Sequence, residues 1–263
     1  MNIRSKRVYL PLGAAAGLLS GLLGVGGGLV VGPMLMLLGF PIKRAFGSAL
    51  AVVFSVASVA VITEAILAPS NFHYSAALSI AIGGQVGAQL AGRSIQRVSD
   101  KFLRSAFLVL VLYAGLRNLG AFGEMPIEAL PGLAGSSASL ATFLSFTLGV
   151  LAGGCAVFFG VGGGIVVVPG LVFAVGGFPL REAMGTSLLA MVPTAALALR
   201  LAVRNSKVDA DIVRALIPSA LIGATGGVVL RNFVLAPKEL AWAFGVFLLW
   251  VAFHLARPKQ KSS

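Results

Sequence analysis

The chain has 263 residues, 58% of them hydrophobic and only 11% charged, and its mean hydropathy is +0.98. A soluble domain carries about 25% charged residues, so there is too little polar material to coat a water-soluble globule. The net charge of +12 arises from short basic clusters between apolar runs, the pattern of cytoplasmic anchoring to anionic lipid and not of nucleic-acid binding.

Apolar stretches of about 20 residues match the length a helix needs to cross roughly 30 Å of hydrocarbon. Strand-type alternation, the mark of a barrel, is absent. The expected fold class is therefore all-α and polytopic. The single cysteine, Cys155, excludes an internal disulfide, and two histidines in unlike settings give no metal-ligand spacing. No metal and no cofactor are expected.

In chain order, Arg4, Lys6 and Arg7 precede an apolar run with Ala14 to Ala16, which superficially resembles a secretory signal. The segment recurs inside the chain, so it is read as part of the fold. A broken apolar segment over 8–38 is followed by three simple spans at 44–68, 74–95 and 102–121. A linker at 122–138 carries Pro126, Pro131, Glu124 and Glu128. A second broken segment at 139–177 and spans at 182–204, 211–231 and 237–256 complete the chain. Two units, 1–121 and 139–263, result.

The two units repeat one sequence. Gly24-Val25-Gly26-Gly27-Gly28 returns as Gly160-Val161-Gly162-Gly163-Gly164, and Pro33 returns as Pro169, at an offset of 136. Phe40-Pro41 returns as Phe178-Pro179, and Ala45, Gly47 and Ser48 as Ala183, Gly185 and Thr186, at an offset of 138. Further on, Gly84 and Gly87 are matched to Gly223 and Gly226.

Basic residues arbitrate the topology. If both broken segments cross the membrane, the basic residues divide almost evenly between the two sides. If each is a re-entrant hairpin, only Arg117, Arg181, Arg231 and Lys238 lie outside, as the positive-inside bias requires. The stretch from Gly28 to Leu38 is also too short to span, at roughly 1.5 Å per residue. The charges thus favour two inverted repeats, each a glycine-broken hairpin plus three transmembrane helices, with both termini cytoplasmic. A single broken crossing is the competing arrangement.

A glycine run at the break of an apolar helix frees backbone N–H groups at membrane depth, where only protein, water or substrate satisfies them. The following arm presents its positive N-terminus there, so two such tips facing each other make an anion site. The candidate substrate-binding residues are Gly24, Val25, Gly26, Gly27, Gly28, Gly160, Val161, Gly162, Gly163 and Gly164. Ser48, Thr186 and Ser187 are added as neutral hydroxyl donors near the helix starts, a back-bond or packing role being the alternative. Gln85, with Gln89 one turn on, either faces the path or joins helices.

Gly84, Gly87, Gly223 and Gly226 are read as packing residues. Glu64 is the one carboxylate inside a span and a possible coupling residue, although its place near a helix end suits a wet surface position. Arg117 and His254 lie near helix ends and suit snorkelling. Cys155 is read as a packing residue.

At these residues the sequence resembles the TauE/SafE family of sulfite exporters, also called the 4-toluene sulfonate uptake permeases. The duplicated glycine tip, Pro33 and Pro169, the Phe-Pro pairs and the Gly-Ser/Thr helix starts carry the resemblance over nearly the whole chain. It implies a bacterial or archaeal inner-membrane permease for sulfite, a sulfonate or sulfoacetate. Export by alternating access is the leading expectation. A proton- or cation-coupled sulfonate importer and a membrane scaffold subunit are the alternatives. No catalytic dyad suggests an enzyme, and the oligomeric state is not legible.

Overall fold

The computed structural model describes residues 3–95, 97–120 and 137–234, with scattered positions between 236 and 253. The expected linker lies almost wholly outside the described residues, as do Lys238, His254 and most of the span at 237–256.

The described chain is helical: α1 (Ile3–Leu23), α2 (Gly28–Leu37), α3 (Ile42–Leu67), α4 (Tyr74–Ser94), α5 (Asp100–Asn118), α6 (Ala138–Phe159), α7 (Gly164–Pro169), α8 (Leu180–Arg204) and α9 (Ala210–Phe233). The two broken segments do break at their glycines, between α1 and α2 and between α6 and α7. After Pro169, which has no N–H to give the helix, α7 continues as a π turn over Gly170–Val175. Pro41 and Pro179 sit immediately before α3 and α8, where a proline costs a helix nothing.

Four of these helices, α3, α6, α8 and α9, are long and apolar enough to cross a membrane. Large apolar side chains such as Ile62, Leu78, Phe143, Leu151 and Ile222 are exposed on the outside, as a lipid-facing surface requires. By contrast, α3 and α8 are the inner pair, with Leu50, Val53, Val56, Leu188 and Ala195 buried.

The packing is reciprocal between the two units. Gly13, Gly17 and Gly21 of α1 lie against Leu216, Ala220 and Ala224 of α9, so these helices run parallel. Gly149 and Gly153 of α6 lie against Ile80 and Gly84 of α4 in the same way. The backbones approach so closely that a β-carbon on Gly17 would stand 1.9 Å from the Ala220 carbonyl oxygen. Small residues permit such seams where no hydrophobic force drives helices together.

The ends of α3 and α8 meet head to tail. Gly47 near the start of α3 rests on the Lys207 carbonyl beyond the end of α8, and Gly185 near the start of α8 rests on Asn71 beyond the end of α3. These matching helices therefore lie antiparallel. One end of the molecule carries Lys43, Asp100 and Lys207; the other carries Glu64, Arg231 and Glu182.

One sequence match is corrected. The α1–α9 and α6–α4 seams relate Ile80 to Leu216, Gly84 to Ala220 and Gly87 to Gly223, an offset of 136 and not 139. Gly84, Gly87 and Gly223 are close-packed, whereas a β-carbon on Gly226 would meet only Leu18, at 3.9 Å. Gly226 is thus not a packing residue.

Candidate functional site

The two glycine tips touch. A β-carbon on Gly28 would stand 2.1 Å from the Gly160 carbonyl oxygen, and one on Gly164 would stand 2.6 Å from that of Gly24. Around them Gly24, Gly26 and Gly27 have φ of 67°, 76° and 56°, and Gly160, Gly162 and Gly163 have 67°, 74° and 85°. L-residues with side chains seldom adopt this region. Glycine is therefore required twice over, by backbone angle in the first part of each tip and by space at its last residue.

Under the crossing sit Val53 and Met191, which are repeat counterparts at an offset of 138. A β-carbon on Gly26 would lie 2.3 Å from Met191 Sδ, and one on Gly162 2.6 Å from both Met191 Sδ and Val53 Cγ1. Both tips are buried. Among the described residues, the backbone N–H groups of Val25, Gly26 and Gly27, and of Val161, Gly162 and Gly163, have no hydrogen-bond acceptor. Buried donors without partners are rare and costly. Here they are concentrated at one point.

The hydroxyls divide. Ser187 Oγ donates to the Gly24 carbonyl at 3.1 Å and so belongs to the tip, but as a brace on a carbonyl. Ser48 Oγ accepts the Asp209 N–H at 2.9 Å, and Thr186 Oγ1 accepts the His73 N–H at 3.0 Å. These two hydroxyls fasten the loops that lead into α9 and α4, so the sequence expectation that they line the tip is not what their bonds serve. Gln85 is half-buried and Gln89 exposed, and neither hydrogen-bonds among the described residues.

Glu64 is corrected more sharply. It is fully buried, not wet. Its carboxylate accepts from Arg231, from Asn71 and, at 3.0 Å, from Asn232 Nδ2. The Arg231 side chain is only 4% exposed. Beside this cluster the His73 ring contacts the Glu182 carboxylate.

A family model described as sulfite exporter TauE/SafE matches residues 1–118 and 145–263. The chain belongs to the TauE/SafE family. The matched stretches fall one in each half. Among curated proteins, a "probable membrane transporter protein" of Xylella fastidiosa (strain 9a5c) is 27% identical over 258 residues, covering 97% of this chain and 96% of that one. Another of the same description, from Methanocaldococcus jannaschii, is 27% identical over 190 residues, covering 68% and 67%. No solved structure matches the chain. Together with its apolar spans, the family makes this TauE/SafE protein a multi-pass membrane transporter.

Several polar residues of this transporter escaped the sequence reading. Ser20, one turn before the first tip, is fully buried beside Gly27, and its hydroxyl has no partner among the described residues. A lone hydroxyl in the apolar arm leading to a glycine break was the available signal. Arg231 was counted only as a topology marker, yet among the described residues its Nε and Nη1 are buried without partners. Lys207 was likewise counted only as a topology marker, and its Nζ is shielded from solvent with no hydrogen-bond partner among the described residues.

Proposed function

We propose that the chain exports sulfite or a small organosulfur anion of the sulfonate or sulfoacetate class, by alternating access between two inverted halves, 1–121 and 139–263. The observation that carries this reading is the contact of the two glycine tips, with unpaired backbone N–H groups on both. An anion arriving as the tips part would satisfy donors that no described residue satisfies, and these donors carry partial charge without trapping the substrate. The residues assigned to binding are Gly24 to Gly28 and Gly160 to Gly164, with Ser187 as the brace of the first tip.

The antiparallel course of α3 and α8 supports inversion of the halves, and with it hairpins that re-enter from opposite faces. On this reading the Lys43 end and both termini face the cytoplasm, across the inner membrane of a bacterium or archaeon. With the interior negative, outward movement of a monoanion gains roughly 2.3 kcal/mol per 100 mV. No coupling ion is then needed. Coupled import is the weaker reading because the carboxylate it requires, Glu64, is already held by Arg231. A scaffold role leaves the unpaired tip donors without a purpose.

The test is flux of sulfite, sulfate, thiosulfate and sulfoacetate in proteoliposomes at set potential and pH. Potential-driven sulfite or sulfonate flux without a pH gradient is expected. Absence of any anion flux would sink the transporter's anion assignment, and a strict need for a proton gradient would favour the importer.

A further inference from the structure

The two ends of α3 and α8 are repeat counterparts, yet they carry opposite contents. At one end Glu64, Arg231 and Asn71 fill the space between α3, α8 and α9 with a hydrogen-bonded network. Their counterparts at the other end are Ala202, Ile95 and Lys207, by the offsets of 138 for α3 and α8 and 136 for the seam helices. Two small or apolar side chains replace an ion pair, and the space stays open. A cavity remains there, lined by Lys43, Phe46, Leu50, Phe158, Ala202 and Lys207 among others.

The charges in this cavity do not balance. Lys43 Nζ lies 3.3 Å from Asp100 Oδ1, and that aspartate is 63% exposed and faces out. Among the described residues the Lys207 ammonium has no hydrogen-bond partner, and its nitrogen is shielded from solvent in a wall that is apolar apart from Lys43 and Asn205. An ammonium shielded from solvent with no hydrogen-bond acceptor gains from an anion that joins it. Phe46, which lines the cavity, also presses its backbone against Gly160 of the second tip, where a β-carbon would meet the Phe46 carbonyl at 2.4 Å. The cavity therefore opens beside the tip crossing.

The geometry points to a second anion site: Lys43 and Lys207 together take a small oxyanion, such as sulfite or the sulfonate head of an organic acid, in the cavity beside the second tip. This inference rests on the anion-transport reading and adds the place where the anion waits before the tips part. The two lysines share one exposed carboxylate, Asp100, so the pair keeps a net positive charge while each ammonium supplies a donor. The oxyanion then leaves readily.

The experiment uses the full chain. Sulfite flux is followed in proteoliposomes for the wild type, K207Q and K207R, and methanesulfonate binding is titrated calorimetrically on the same detergent-solubilised proteins. K207Q should raise the half-saturating sulfite concentration about tenfold and weaken methanesulfonate binding by a like factor, the scale of one charge-assisted hydrogen bond. K207R should stay close to wild type. If K207Q fails to fold, K43Q replaces it with the same expectation.

Wild-type KM and wild-type binding in K207Q would overturn the site while leaving transport intact. Absence of flux in the wild type itself would instead remove the proposed function. Binding then decides the site alone: loss in K207Q supports it, and equal binding refutes it.

Discussion

Glu64 and Arg231 stand 167 residues apart in sequence, and nothing in either local pattern names the other. Sequence alone marks Glu64 as a carboxylate near a helix end and Arg231 as a basic residue on the outer side; only the packing of α9 on α3 turns them into a buried pair. Such a pair is expensive to break singly because the survivor stays charged and buried. Glu64→Ala is expected to cost about 3–5 kcal/mol, read as a lower unfolding temperature in detergent. Replacing both residues by leucine should recover most of that loss, since matched apolar substitution of a buried pair is often neutral or better. Equal damage from the single and double variants would mean that the pair is not a closed unit.

Lys207 makes the pH-dependent prediction. Burial pushes its ammonium below the ordinary lysine value of 10.5, Lys43 adds to that shift and Asp100 opposes it. With the folded value below the unfolded one, the unfolded chain binds more protons in the interval between them, so this residue's contribution to stability rises with pH. Anion binding favours the protonated form and has the opposite trend. Methanesulfonate does not titrate in this range, so its affinity should fall as pH rises toward 10.5 in the wild type and hold level in K207R. Titration calorimetry across that interval reads the difference.

At the level of elements, much of the fold was legible because the duplicated glycine run and Phe-Pro pairs mark equivalent points in each half. The breaks at Gly24 to Gly28 and Gly160 to Gly164, and the starts of α3 and α8, fall where those marks put them. The register of α4 against α9 was misread for a physical reason. A helix rich in small residues spaced by three offers more than one match, and only the seam with α1 or α6 selects among them. The role of Ser48 and Thr186 was hidden similarly, since their acceptor duty is to loops of the opposite half.

The tips can be tested against a glycine that carries no load. Gly28→Ala places a carbon 2.1 Å from the Gly160 carbonyl oxygen, closer than any real contact, so the tips must separate. Sulfite flux should drop at least tenfold, a rise in barrier on the order of 1.4 kcal/mol. Gly226→Ala meets only Leu18 at 3.9 Å and replaces a helix-interior glycine with the best helix former. It should leave flux unchanged and stabilise by about 0.5–1 kcal/mol. Equal flux in the two variants would remove the tips from the mechanism.

For the whole molecule, the decisive asymmetry is that one end carries the Glu64 network while its counterpart carries a cavity at Lys43 and Lys207. On the proposed alternating-access cycle the first must break and the second must close. The driving force proposed here is then the membrane potential alone. At an interior potential of 100 mV negative, a monoanion moving outward gains about 2.3 kcal/mol. With 1.36 kcal/mol per factor of ten, flux should stop only when the outside concentration of that anion exceeds the inside by about fiftyfold. Vesicles clamped with potassium and valinomycin measure that ratio directly through the reversal potential. A shift of about 60 mV per tenfold gradient of monoanion, unmoved by a pH step once the anion's own ionisation is accounted for, is the signature of uncoupled flow. A reversal potential that follows the proton gradient would mean that a titrating group travels through the cycle. Glu64, released from Arg231 whenever its end opens, would then be the first residue to replace.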